Sequence, residues 1–207
     1  MSNNGQVDDA SVLMQRALGG WRGFIATALP SLVFVFVWVF TYDLNLALIL
    51  SLIVATLAGV MQLILRDTLQ HVLNGLLGVV ISAVAAKFTG KPEDAFLPGL
   101  IINVSYGFVY LVGQIIRKPI LGFVVGGLIG DLTGWMKDPK KVRAAWVAGW
   151  FWVGLFALRM LIQTPLYLAG EVATLGVARV FMGWPGFLLV SFLSYRVMRP
   201  AFTHSAK

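Results

Sequence analysis

The sequence predicts an all-α fold, a polytopic bundle of membrane-spanning helices, on three observations. Hydrophobic residues make up 58% of the 207 positions and charged residues 12%, about half the charged share of an ordinary soluble domain. The apolar residues come in long uncharged runs, and about 20 helical residues suffice to cross a hydrocarbon core of about 30 Å. The cations behind the net charge of +7 stand at the edges of those runs, as headgroup anchors do, and form no basic face interleaved with stacking aromatics. Nucleic acid is therefore not expected as a partner. The chain has no cysteine, so disulfides and thiolate chemistry are excluded.

Residues 1–22 are read as a cytoplasmic tail and an interfacial helix. Asp9 opens DASVLMQRALGGWRGF, which puts Val12, Leu13, Ala17 and Trp21 near one face and leaves Arg16 and Arg22 to phosphates. No removed signal peptide is expected there, since Asp8 and Asp9 stand where an apolar core would be. A single transmembrane domain then covers 23–198, followed by a cytoplasmic tail at 199–207. Its first span is 23–42, bent by Pro30, and Asp43 and Asn45 mark a tight turn into a second span at 44–65. The third runs from about Leu69 to Ala86 and stops at KFTGKPEDA; the fourth is 95–116. Residues 144–165 give a fifth, aromatic at its start through Trp146, Trp150, Phe151 and Trp152, and kinked or ended by Pro165. The segment 166–183 carries Glu171 and Arg179 and reads as too broken to cross, which leaves 184–198 as a short sixth span.

Between the fourth and fifth spans lies RKPILGFVVGGLIGDLTGWMKDPKKVR, Arg117 to Arg143, with Gly122, Gly126, Gly130 and Gly134 at every fourth position. As one helix they would share a face and pack closely on a neighbour. Pro119 to Met136 would be about 27 Å long, nearly a full crossing. The count of lysine and arginine decides against crossing. If the stretch stays on one side, Arg16, Arg22, Arg66, Arg117, Lys118, Lys137, Lys140, Lys141, Arg143, Arg196, Arg199 and Lys207 lie together, 12 cations against three (Lys87, Lys91, Arg179). If it crosses, the split becomes six against nine, with the wrong side favoured. The expectation is six spans in a bacterial plasma membrane, both termini cytoplasmic, and a re-entrant or tilted glycine helix. Ala28 to Leu32 (ALPSL) resembles Phe96 to Leu100 (FLPGL), each near the start of a span, which would suit a three-plus-three inverted repeat.

Asn103, Tyr106, Tyr110 and Gln114 follow helical spacing and form one polar stripe on the fourth span. Arg159 is a cation inside the fifth, with Gln163 one turn on; such a group costs about 2.5–3.5 kcal/mol to insert and is usually paired or facing water. It either snorkels outward towards Glu171 or, with Gln163 and the stripe, binds an anionic solute or a lipid phosphate. Lone His71 and His204 give no metal spacing, and no nucleophile elbow, phosphate loop or paired intramembrane carboxylates occur. No enzyme, cofactor or metal is therefore expected.

The patterns FLPGLIINVSYG, IIRKPILG and WMKDPKKVRAAW resemble an uncharacterised actinobacterial family of integral membrane proteins along nearly the whole chain. More distantly, Arg117, Lys118, Pro119 and Ile120, then Arg143, Ala145 and Trp146, are similar to motifs of the intracellular septation protein A family, the second with altered spacing. That resemblance implies an inner-membrane protein tied to envelope or division processes. Two functions stay open: a small transporter or channel-like carrier for a small or anionic solute or lipid, or a non-transporting scaffold or accessory subunit. The partners expected are membrane lipids, a small solute for the carrier, and a homo-oligomer or larger membrane complex.

Overall fold

The structure, a computed structural model, describes residues 20–65 and 69–203, without the side chains of 20–27, 71 and 203. The interfacial helix expected within 1–22 thus lies almost wholly outside the described residues. All regular elements among the described residues are helical. Five helices are long and apolar enough to cross a membrane: Leu44–Ile64, Val72–Thr89, Pro92–Ile115, Pro139–Leu168 and Val172–Phe202. The chain is thus a multi-pass helical membrane protein. The run expected as the first span lies in helix α1 (Gly20–Thr41), whose apolar part with described side chains, Ala28–Thr41, is shorter.

The chain divides into two compact units, Met1–Pro98 and Gly99–Lys207. In the first, α1 is followed by α2 (Leu44–Ile64), α3 (Leu69–Thr89) and a 3-10 turn (Pro92–Phe96). Only Tyr42 and Asp43 separate α1 from α2. Tyr42 takes a left-handed φ of 52°, and Asp43 caps α2 by accepting from Leu46 N at 3.1 Å. This is the tight turn that Asp43 marks in the sequence. Helix α2 buries Ala47, Leu48, Ser51 and Ala55 along one stripe, and Lys87 at the end of α3 donates to Asn45 at its start.

The second unit holds α4 (Leu97–Ile115) from Gly99 on, α5 (Ile120–Leu128), a 3-10 turn (Gly134–Lys137), α6 (Pro139–Leu168) and α7 (Val172–Thr203). Two expectations are corrected here. Residues 166–183 are not a broken connection, because α6 continues through Pro165 to Leu168 and α7 is one helix of 32 residues that passes through Pro185 and Pro200. Glu171 lies in the short turn before α7, and the Arg179 guanidinium lies against Gly99 of α4, so neither charge interrupts a helix. Proline kinks a helix without ending it when other groups take the carbonyls it frees.

The second correction concerns the glycine stretch, which is not one helix. Helix α5 has nine residues, about 14 Å, less than half of a crossing. It ends where Gly130, at φ 77°, donates to Gly127 O (3.3 Å) and Asp131 N donates to Gly126 O (2.8 Å), the paired bonds of a Schellman stop. Asp131 Oδ1 then accepts from Gly134 N at 2.6 Å and turns the chain back. Gly122 and Gly126 therefore share a helical face, whereas Gly130 supplies the turn and Gly134 opens the 3-10 turn by which the chain returns. Of the two similar stretches, 28–32 has its Pro30 in the middle of α1 and 96–100 its Pro98 at the start of α4.

Candidate functional site

A glycine sets the geometry around Arg159. At the end of α6, Gly170 at φ 69° donates to Tyr167 O and Glu171 N to Leu166 O, both at 3.0 Å, so the chain reverses sharply into α7. Arg159 stands nine residues before the end of α6 and Met182 ten after the start of α7, which puts them at the same level of an antiparallel pair. Pro185, three residues on, has no N–H for the carbonyl of Phe181, and its ring crowds that turn of helix. The guanidinium of Arg159 closes on the next two carbonyls: Nε donates to Met182 O at 2.9 Å, and Nη2 to Met182 O at 2.5 Å and Gly183 O at 2.8 Å. Nη1 donates to Asn103 Oδ1 in α4 at 3.4 Å. A guanidinium has five N–H groups, so one is left. Bidentate capture of a phosphate or carboxylate needs two parallel N–H groups on one edge.

The polar stripe of α4 meets α6 residue by residue in antiparallel order. Asn103 faces Arg159, Tyr106 stacks on Phe156 with ring centroids 6.1 Å apart, and Tyr110 stacks on Trp152 at 5.6 Å. Gly107 makes room for this, since a Cβ there would lie 3.1 Å from that of Phe156. At the end of the row Gln114 is 2% exposed and fills the gap left by Gly149, where a Cβ would come within 2.8 Å of its Cδ. Oriented to satisfy both groups, its amide donates to Trp146 O and accepts from Trp150 N, each at 3.2 Å, and its main-chain carbonyl accepts from Trp146 Nε1 at 3.1 Å. The spacing of the stripe identified its face; its counterpart is α6. Trp152 also reaches α7, where its Nε1 donates to Ser194 Oγ at 3.1 Å, and Gly186 of α7 admits Leu155.

Of the candidate ligand set, hydrogen bonds join Arg159 only to Asn103. Gln163 is buried one turn beyond it, beside Thr164, whose hydroxyl is buried without a hydrogen-bond partner. Gly122 and Gly126 receive the fully buried Trp135, whose ring would lie within 2.7 Å of a Cβ at either position; Trp135 Nε1 donates to Leu132 O at 2.9 Å and Phe123 meets the ring edge-on. Trp135, Met182, Gly183, Pro185 and Ser194 were not singled out from the sequence. The proline between two glycines at 183–186 was a usable signal, because a proline inside an apolar run disturbs one turn of helix and marks where a side-chain donor can meet main-chain carbonyls. No group of three or more His, Asp or Glu that could hold a metal occurs among the described residues.

The fold and this seam define an integral membrane protein of packed apolar helices in which Arg159 is tied into main-chain carbonyls. Residues 18–205 match the model of the family described as "Protein of unknown function (DUF3159)", and the chain belongs to that family. No curated protein and no solved structure matches the chain.

Proposed function

We propose that this protein is a non-transporting, non-catalytic scaffold or accessory subunit of the bacterial plasma membrane, serving envelope assembly or division, alone as a homo-oligomer or within a larger membrane complex. The observation that carries the reading is the state of Arg159: four of its five N–H groups are spent on Met182, Gly183 and Asn103, leaving no fork for an anion. A carrier needs groups that bind solute in exchange for water, whereas groups bonded to their own main chain act as cross-links. The likeness of Arg117–Ile120 and Arg143–Trp146 to the septation protein A motifs suits the same role. In this reading the chain crosses six times with both termini cytoplasmic; the charge count supports that number, and the hairpin at α5 is too short to add a crossing. Three long helices before Pro98 and three after it are compatible with a three-plus-three plan.

The test is flux. Proteoliposomes of the purified chain, loaded with chloride or inorganic phosphate, should release neither faster than protein-free vesicles, while a deletion strain shows a septum or envelope defect that Arg159→Met complements once expressed to equal level. Protein-dependent anion release that Arg159→Gln abolishes would instead establish the carrier.

A further inference from the structure

The hairpin from Arg117 to Lys141 is cationic at its base and apolar at its tip. Arg117 and Lys118 precede α5, and Lys137, Lys140 and Lys141 stand where the chain comes back. At the far end Leu128, Ile129 and Leu132 are exposed at 71%, 53% and 63%. Base and tip are separated by the length of α5, about 14 Å, which is one leaflet's share of a hydrocarbon core of about 30 Å. Leu121 and Trp135 fasten the hairpin to Ala144, Ala145 and Ala148 of α6 and Met198 of α7, so it does not swing free.

Four donors of the tip are bonded internally, which lowers the cost of placing it in hydrocarbon: Gly130 N to Gly127 O, Asp131 N to Gly126 O, Gly134 N to the half-buried Asp131 carboxylate, and Trp135 Nε1 to Leu132 O. The base carries the opposite character. Arg143, Arg196 and Arg199 join it through the starts and ends of α6 and α7, with Lys141 Nζ 5.5 Å over the Phe202 ring. The Asp138 carboxylate beside these lysines accepts from the main-chain N–H of Lys140.

We propose that residues 117–141 form a wedge in a single leaflet, with the tip among acyl chains and the base bound to anionic phospholipid headgroups. A phospholipid offers negative charge above a hydrocarbon tail at the same spacing as the cations and the apolar tip. An acidic protein would match the base and leave Leu128, Ile129 and Leu132 in water. The assignment holds whether or not the chain moves a solute.

The chain has no cysteine, so single cysteines at Leu128, Leu132 and Lys140 of the full chain can carry nitroxide labels without background. In vesicles of phosphatidylcholine and phosphatidylglycerol, the two tip labels should be open to dissolved oxygen and sheltered from an aqueous nickel chelate, and the Lys140 label the reverse. Spin-labelled phosphatidylglycerol should associate about fivefold more than phosphatidylcholine at low salt, and that preference should disappear in Lys118→Gln/Lys137→Gln/Lys140→Gln. The matching arginine triple should keep it, which separates charge from loss of fold. Tip labels open to the chelate overturn the wedge, and tip labels closed to both reagents do so as well, because protein then covers the tip. A lipid preference untouched by the glutamine triple, or lost equally in the arginine triple, overturns the headgroup contact.

Discussion

Arg159 of α6 donates to the carbonyl of Met182 in α7 from two of its nitrogens, Nε at 2.9 Å and Nη2 at 2.5 Å. A cation within a span is usually read as a functional marker. Here its partners are main-chain carbonyls in the turn of α7 just before Pro185, so a group that is costly to insert has its donors bonded within the protein.

Arg159→Met should therefore destabilise the fold by about 2 kcal/mol, the usual worth of hydrogen bonds from a charged donor. Arg159→Lys should recover part of this at most, since a point charge on a flexible stem cannot span Met182 O, Gly183 O and Asn103 Oδ1 together. Unfolding of the purified chain in nonionic micelles measures both. Equal stability of Arg159→Met and the parent would show that these bonds hold nothing.

The proline and the arginine should be coupled. Pro185→Ala returns an N–H to the carbonyl of Phe181 and tightens the turn that Arg159 closes, so the cost of Arg159→Met should shrink in the Pro185→Ala background. The coupling energy of the double-mutant cycle should be about 1 kcal/mol, within the range for contacting residues. Strict additivity would separate the two.

How far the sequence discloses the molecule depends on whether a signal is periodic. Long uncharged runs gave the helices, and helical spacing gave the face that Asn103, Tyr106, Tyr110 and Gln114 share, because both follow from 3.6 residues per turn. What covers that face was not readable: a polar stripe met by Phe156, Trp152 and Gly149 has the same spacing as one that lines a cavity. Charge misled at Glu171 and Arg179, where a helix of 32 residues passes what looked like a break. Glycine misled at Gly130, since a glycine that packs and one that supplies a positive φ are the same letter. The cation count pointed to a stretch that does not cross, and the nine-residue α5 agrees in length.

The hairpin core makes a steric prediction. Gly122→Ala would put its Cβ within 2.6 Å of Trp135 Cζ2, and a fully buried indole held at Leu132 O has little room to move. The variant should lose about 2 kcal/mol, as overpacked cores do. Trp135→Leu alone should lose more, about 3 kcal/mol, through the cavity it leaves. The double variant should be more stable than the two costs combined, since the smaller side chain admits the new methyl. If the costs simply add in the same unfolding assay, the ring does not rest on Gly122.

Arg117 offers the opposite sign. It occupies the left-handed position at φ 55° that ends α4, donating to Gln114 O at 3.2 Å while Lys118 N donates to Gly113 O at 2.9 Å, a place where glycine is usually found. A side chain there costs about 1 kcal/mol in backbone strain. Arg117→Gly should thus raise stability in nonionic micelles by about 0.5 kcal/mol after the loss from a more flexible unfolded chain. Arg117→Ala removes the same cation but keeps the Cβ, so it should bring no gain. Glycine and alanine variants of equal stability would mean that the turn, not the residue, sets the conformation, and that the strain assigned to Arg117 is absent.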